Sequence, residues 1–138
     1  MLKCIVLLAE DFEDAREVYA LYLRLEGFTV HDVSDGTRVA ALAIELQPHV
    51  VGLDLALPGV DGWAVTAHLR AHPLTAQIPI VVLSAHAYPE DEARARAAGA
   101  TAFLRKPCSP VELARTLRRV SEACDEADRS RPQAPASA

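Results

Sequence analysis

Glu10, Asp11, Asp54, Ser84 and Lys106 lie far apart in the chain, yet each stands at the end of a short apolar run: Cys4 to Ala9, Val50 to Leu53, Ile80 to Leu83 and Ala102 to Leu104. Three of the five are carboxylates. Gathered in one place they would repel one another unless a cation neutralised them, and a small hard ion with oxygen ligands, Mg²⁺ above all, suits such a set. Lys106 adds a point charge and Ser84 a hydroxyl donor, the groups wanted around phosphoryl oxygens that carry spreading negative charge. Singly, each residue has a plainer reading. An acidic pair after a strand is often a solvated loop or a helix cap, Asp54 could end a strand as a turn residue, Ser84 could cap the next helix, and Lys106 could be a surface lysine. Their joint spacing argues for one site.

Convergence requires elements that bring these runs side by side. The four apolar runs are short and unbroken, as suits strands buried on both faces, while Thr29 to Val33 is interrupted by His31 and Asp32 and reads as an edge strand. Between them the apolar period becomes helical. Val18, Leu21, Tyr22 and Leu25 share one face, and Val39, Leu42, Ala43 and Leu46 another. A third helix is expected from about Gly62 to about Ala71. The last carries Leu113, Leu117, Val120 and Cys124 on a stripe and opens with the capping-box pattern Ser109-Pro-Val-Glu112. Gly27 and Gly99 stand where helices stop, and Pro89 where one begins. Five strands alternating with five helices imply an α/β fold, a doubly wound parallel five-stranded sheet covered on both faces. In such a sheet the ligand crevice lies beyond the carboxyl ends of the strands, where the five polar residues fall.

The chain has 138 residues, 51% of them hydrophobic and 24% charged, with a formal net charge of -5. This is the size of one domain, and the composition is that of a folded protein. The acidic balance predicts no nucleic-acid partner and no membrane surface, and favours a protein partner or a small metal ion. No run is long enough to span a bilayer, and no signal-peptide pattern opens the chain, so a cytoplasmic location is expected. The three cysteines have no CxxC or zinc-site spacing and predict neither a disulfide framework nor a structural metal; Cys4 and Cys124 read as packed thiols, and Cys108 as a less settled case beside a lysine. Residues 125–138 have no apolar period and read as a disordered polar tail.

Four stretches carry a family resemblance: LLAEDFEDAR (7–16), GLDLALPGVDGW (52–63), IVVLSAH (80–86) and GATAFLRKP (99–107). They resemble the receiver domain of bacterial response regulators, the CheY-like domain of two-component signalling, from about residue 3 to about residue 124. The resemblance implies a flavodoxin-like (βα)5 domain over 1–124 with strand order 2-1-3-4-5. Asp54 would be the phosphoacceptor. Asp11, Asp54 and the backbone carbonyl of Ala56 would ligate Mg²⁺, with Glu10 acting through water. Ser84 and Lys106 would contact the phosphoryl group, and Phe103 would be the switch aromatic, unless it merely fills core volume. Pro58, Asp61 and Gly62 would shape the turn into the third helix, and Lys106-Pro107 would be a cis peptide. Departures from the family pattern are Glu10 for aspartate, Leu57 for methionine, Ser84 for threonine and Phe103 for tyrosine. Ala56 and His86 occupy the positions that influence how long the phosphoryl group survives.

The function implied is that of a stand-alone receiver, phosphorylated by a histidine kinase or phosphotransfer protein and signalling to a downstream protein target, as a monomer or a phosphorylation-dependent dimer. It would be no enzyme beyond its own phosphorylation and dephosphorylation. A haloacid-dehalogenase-type phosphatase would need a second aspartate two residues after Asp54, where this chain has Ala56. A flavodoxin-like FMN carrier would need a phosphate-binding loop after the first strand, where EDFED would repel a phosphate. A degenerate receiver that works without phosphorylation is opposed by the complete set of site residues.

Overall fold

The structure, a computed structural model, describes residues 4–85, 88–121 and 124. The tail at 125–138, His86 and Ala87 therefore lie outside the described residues. In chain order the elements are β1 (Ile5–Ala9), α1 (Glu13–Leu25), β2 (Thr29–Val33), α2 (Val39–Leu46) after a single 3₁₀ turn, β3 (Val50–Asp54), α3 (Gly62–Ala71), β4 (Ile80–Ser84), α4 (Pro89–Ala98), β5 (Ala102–Arg105) and α5 (Pro110–Val120). The strands form one parallel sheet in the order β2-β1-β3-β4-β5. The β2 strand is an edge, with His31 and Asp32 exposed.

Strand side chains alternate between two apolar layers. Val6, Leu8, Val81 and Leu83 face Tyr19, Ala20 and Leu23 of α1 and Leu113, Ala114 and Leu117 of α5. Leu7, Ala9, Val51, Leu53, Ile80 and Val82 face Val39 and Ala43 of α2 and Leu69 of α3. Such a sheet has no solvated face, which is why its strands read as continuous apolar runs rather than alternating ones.

Helix boundaries follow local chemistry. The Ser109 Oγ accepts the Glu112 N–H at 3.1 Å, and Pro110 takes the first position of α5. Asp61 caps α3 by accepting the Trp63 N–H at 3.0 Å. Gly99 ends α4 at φ +110°, and a Cβ there would also meet Arg70 Cγ at 2.5 Å, so both conformation and space call for glycine.

Two expectations need correction. The stripe of Val18, Leu21 and Leu25 is the outer face of α1, these residues being 54%, 61% and 75% exposed, whereas Tyr19, Ala20 and Leu23 are buried. Apolar residues occur on both sides of this helix, and the buried side is partly disguised by a tyrosine and an alanine. Packing under α5 decides between them, because the Tyr19 hydroxyl donates to the Cys108 carbonyl at 2.7 Å. The second correction concerns the cysteines: Cys4 and Cys124 form a disulfide rather than two thiols. They are 120 residues apart, and only the fold brings the start of β1 to the segment beyond α5.

The α1 correction predicts unequal costs of truncation. Leu23→Ala should lose about 3 kcal/mol of stability through the buried volume removed, whereas Leu21→Ala should stay within about 0.5 kcal/mol of the parent. Urea unfolding of the two variants measures this directly, and equal losses would contradict the buried face assigned here.

Candidate functional site

The sheet order sets β1 beside β3, so the residues that follow both strands meet at one edge. Glu10 continues the ladder past β1 through its N–H, which donates to the Val33 carbonyl at 3.0 Å, and its side chain is fully buried. Asp11 follows and is exposed. Asp54 is the last residue of β3 and only 2% exposed. One carboxylate oxygen from each of the three can be chosen so that all lie within 4.8 Å of one another.

Lys106 enters from β5. Its N–H donates to the Ser84 carbonyl at 2.8 Å, and the peptide bond to Pro107 is cis. The Nζ donates to Asp54 Oδ2 at 2.7 Å and to Glu10 Oε1. The other Asp54 oxygen, Oδ1, accepts the Ala56 N–H at 2.8 Å. Thus both Asp54 oxygens are held, while Glu10 Oε2 is buried with no hydrogen-bond partner.

These contacts set the protonation balance. Burial, followed by the neighbouring Asp54, pushes the Glu10 carboxyl up to about 7, against the pull of Lys106. Burial would raise Asp54 too, but the adjacent Glu10 carboxyl and the bonds from Lys106 and the Ala56 amide outweigh it and hold that carboxyl below its ordinary value. Burial would lower the Lys106 ammonium, and its bonds to Asp54 and Glu10 outweigh this and raise it. Asp54 is therefore the ionised member of the pair, with Lys106 as its counter-charge. The donor set fits a small hard cation: three carboxylates at short range, one bearing a buried oxygen without a partner.

The other expected residues fall around this centre. Ser84 closes β4 and is 3% exposed. Ala56, Pro58 and Gly59 form an exposed turn, Asp61 caps α3, and Gly62 packs so closely on the Leu55 backbone that a Cβ would lie 2.9 Å from its Cα. Phe103 is half-buried against the α2 and α3 layer, two strands from Asp54 with β4 between them, rather than among the carboxylates. Two supporting residues escaped the sequence reading. Arg16 donates to the Glu10 carbonyl at 3.1 Å and pairs with Asp32 at 3.3 Å, tying down the acidic loop. Tyr19 holds the chain just past Pro107 through the Cys108 carbonyl. The available signal was an arginine one turn into the helix that follows the acidic pair. Cys108 itself is no reactive thiolate, since burial and then the nearby Glu112 push its thiol up to about 11.

The model of the response regulator receiver domain matches residues 6–118. The chain belongs to the response-regulator receiver family. It is 34% identical to the DNA-binding dual master transcriptional regulator RpaA of Synechocystis over 82% of its own length and 47% of that protein's. Among solved structures, the chemotaxis response regulator CheY4 of Vibrio cholerae superposes with a TM-score of 0.80 at 29% identity, covering 86% of this chain and 98% of that one. The receiver domain of the sensor histidine kinase PA1611 from Pseudomonas aeruginosa, solved with a magnesium ion coordinated in the active site cleft, gives 0.78 at 31%, covering 86% and 97%. The CheY-like strand order is thus the observed one.

This receiver spans about half the length of the curated relatives it matches. Those relatives include DNA-binding regulators, which overturns the expectation of no nucleic-acid partner. Net charge failed as a guide because it describes the surface of the receiver and not the output that a receiver controls. No helix among the described residues is long and apolar enough to cross a membrane.

The charge balance around Lys106 is open to test. Lys106→Met should destabilise the metal-free protein by about 2 kcal/mol, because it strands two buried carboxylates without their cation. Mg²⁺ affinity should not fall, since the ammonium competes with a metal for the same oxygens. Urea unfolding in a chelator and a Mg²⁺ titration check both; a variant that no longer bound Mg²⁺ would put the lysine among the metal's own ligands.

Proposed function

We propose that Asp54 accepts a phosphoryl group from a phosphohistidine on a histidine kinase or phosphotransfer protein, in a Mg²⁺-dependent step, and that the phosphorylated receiver signals by changed binding. What carries this reading is that Asp54 is the meeting point of the Lys106 ammonium, the Ala56 amide and the acidic pair Glu10-Asp11. No other carboxylate among the described residues has that company.

An Asp54 oxygen attacks phosphorus in line with the bond to the donor imidazole; the O–P bond forms as the P–N bond breaks, and the imidazole leaves with the electron pair. The Lys106 contact keeps Asp54 ionised beforehand. As negative charge moves onto the transferred group, the ammonium follows it, and the Ser84 hydroxyl donates to a phosphoryl oxygen. Asp11, Asp54 and the Ala56 carbonyl would hold Mg²⁺, with Glu10 joined through water. The ion would supply positive charge to the phosphoryl oxygens. Pro58, Asp61, Gly62 and Pro107 fix the loops that aim these groups. Ala56 stands where an ester phosphatase would need a second acid, so the chemistry is confined to loading and hydrolysing the domain's own acyl phosphate.

The donor and the receiver meet in the cytoplasm in this scheme. The relatives make a DNA-binding output the favoured readout. Phe103, half-buried on β5 against the α2 and α3 layer, would report the site by changing its packing there.

Incubation with acetyl phosphate and Mg²⁺ should add one phosphoryl group by intact mass, and a chelator or Asp54→Asn should abolish the gain. Phosphorylation that survived in Asp54→Asn would overturn the assignment. Beryllofluoride, an aspartyl-phosphate mimic, should shift amide resonances at Phe103 and the start of α5 as well as beside Asp54. Shifts confined to the neighbours of Asp54 would leave Phe103 as core alone.

A further inference from the structure

One covalent link joins two positions that phosphoryl chemistry does not use. Cys4 precedes β1, Cys124 lies beyond the end of α5, and their disulfide spans 120 residues with the Cα atoms 4.6 Å apart. Both side chains sit in the layer formed by α1 and α5, at 2% and 1% exposure. The two ends are held unequally. Cys4 is fixed in the sheet, since its carbonyl accepts the Thr29 N–H at 2.9 Å. Cys124 is helical and stands three residues past Ser121, the extended cap residue of α5, to whose Oγ its N–H donates at 3.4 Å.

We propose that Cys4 and Cys124 form a reversible dithiol–disulfide site, read by small disulfides of the glutathione class, which ties and unties the end of α5 from the first strand. The Cα separation already suits a disulfide, so the bond forms and opens without rearranging the sheet. Both sulfurs are buried in the closed protein, so exchange proceeds through local opening of this layer, which brings Cys124 to solvent. The Cys124 thiolate then attacks the small disulfide and expels one thiolate. The Cys4 thiolate next attacks the Cys124 sulfur of the mixed disulfide and expels the other. Two protein thiols give up two protons and two electrons, and the small disulfide leaves as two thiols. The third cysteine does not compete, because Cys108 is buried against its own loop. Within reducing compartments, disulfides that do form are characteristically redox-responsive rather than permanent.

Closing so long a loop removes freedom chiefly from the unfolded chain, so the oxidised form should melt roughly 10 °C above the reduced form. The full chain is equilibrated at a series of glutathione ratios, quenched in acid, and its thiols are counted in denaturant. The count should pass from three per chain to one in a single two-electron transition, with Tm following. Cys124→Ser should hold the lower Tm at every ratio, and Cys108→Ser should still respond. Three thiols at every ratio would overturn the site. So would a single thiol that reduced glutathione never increases in the native protein, which would make the bond a permanent crosslink, or a Cys124→Ser Tm equal to that of the oxidised parent.

Discussion

Two buried carboxylates and one ammonium in contact make the constraint around which this fold is organised. Glu10 and Asp54 are almost wholly removed from water, and neither could remain so without Lys106, which donates to both. Burial makes an unpaired charge costly, whereas a compensated trio can stand ready for chemistry. The three residues come from the ends of β1, β3 and β5, so their meeting depends on parallel strands in the observed order and on a lysine long enough to reach across from β5. The surrounding loops serve the same end. Arg16 holds the backbone of the acidic pair, the Ala56 amide fixes one Asp54 oxygen, and Tyr19 anchors the chain after Pro107.

The strands and the site were legible in the sequence for one physical reason. A sheet buried on both faces writes each strand as an apolar run, and the polar residue that ends the run marks the crevice. Asp54 after Val50 to Leu53, and Lys106 shortly after Ala102 to Leu104, needed no more than that. What failed were features decided by tertiary packing. On α1, Val18, Leu21 and Leu25 made the more apolar stripe, yet Tyr19, Ala20 and Leu23 are inside, because a tyrosine can bury its ring and still satisfy its hydroxyl on the Cys108 carbonyl. The pairing of Cys4 with Cys124 left no local signature, since cysteines at opposite ends of the chain become neighbours only after β1 and α5 have packed. Protonation was likewise hidden. Glu10 and Asp54 are both carboxylates in the sequence, and their opposite shifts arise from unequal sharing of burial and hydrogen bonds.

The helices are not all held to the sheet by the same forces, and this bears on which of them is easiest to move. The α1 and α5 layer has a dense apolar interior, the Cys4–Cys124 bond, the Tyr19 to Cys108 contact and an ion pair between Arg118 and Glu26 at 3.3 Å. On the other side of β5, α4 buries only Ala95. Its attachment rests on Arg94, which lies over the Trp63 ring at 4.8 Å, and on Arg70, whose Nε donates to the Gly99 carbonyl at 2.8 Å. A surface cation over an aromatic ring contributes on the order of 1 kcal/mol, far less than a buried apolar face. Moving α4 is therefore cheaper than moving α1 or α5. Trp63 stands at the first turn of α3, immediately after the loop that leaves Asp54, so the weaker of these attachments is also the one nearest the chemistry. Under the proposed phosphorylation, charge added at Asp54 would need to disturb only that turn to loosen α4, the least firmly packed of the helices around the site.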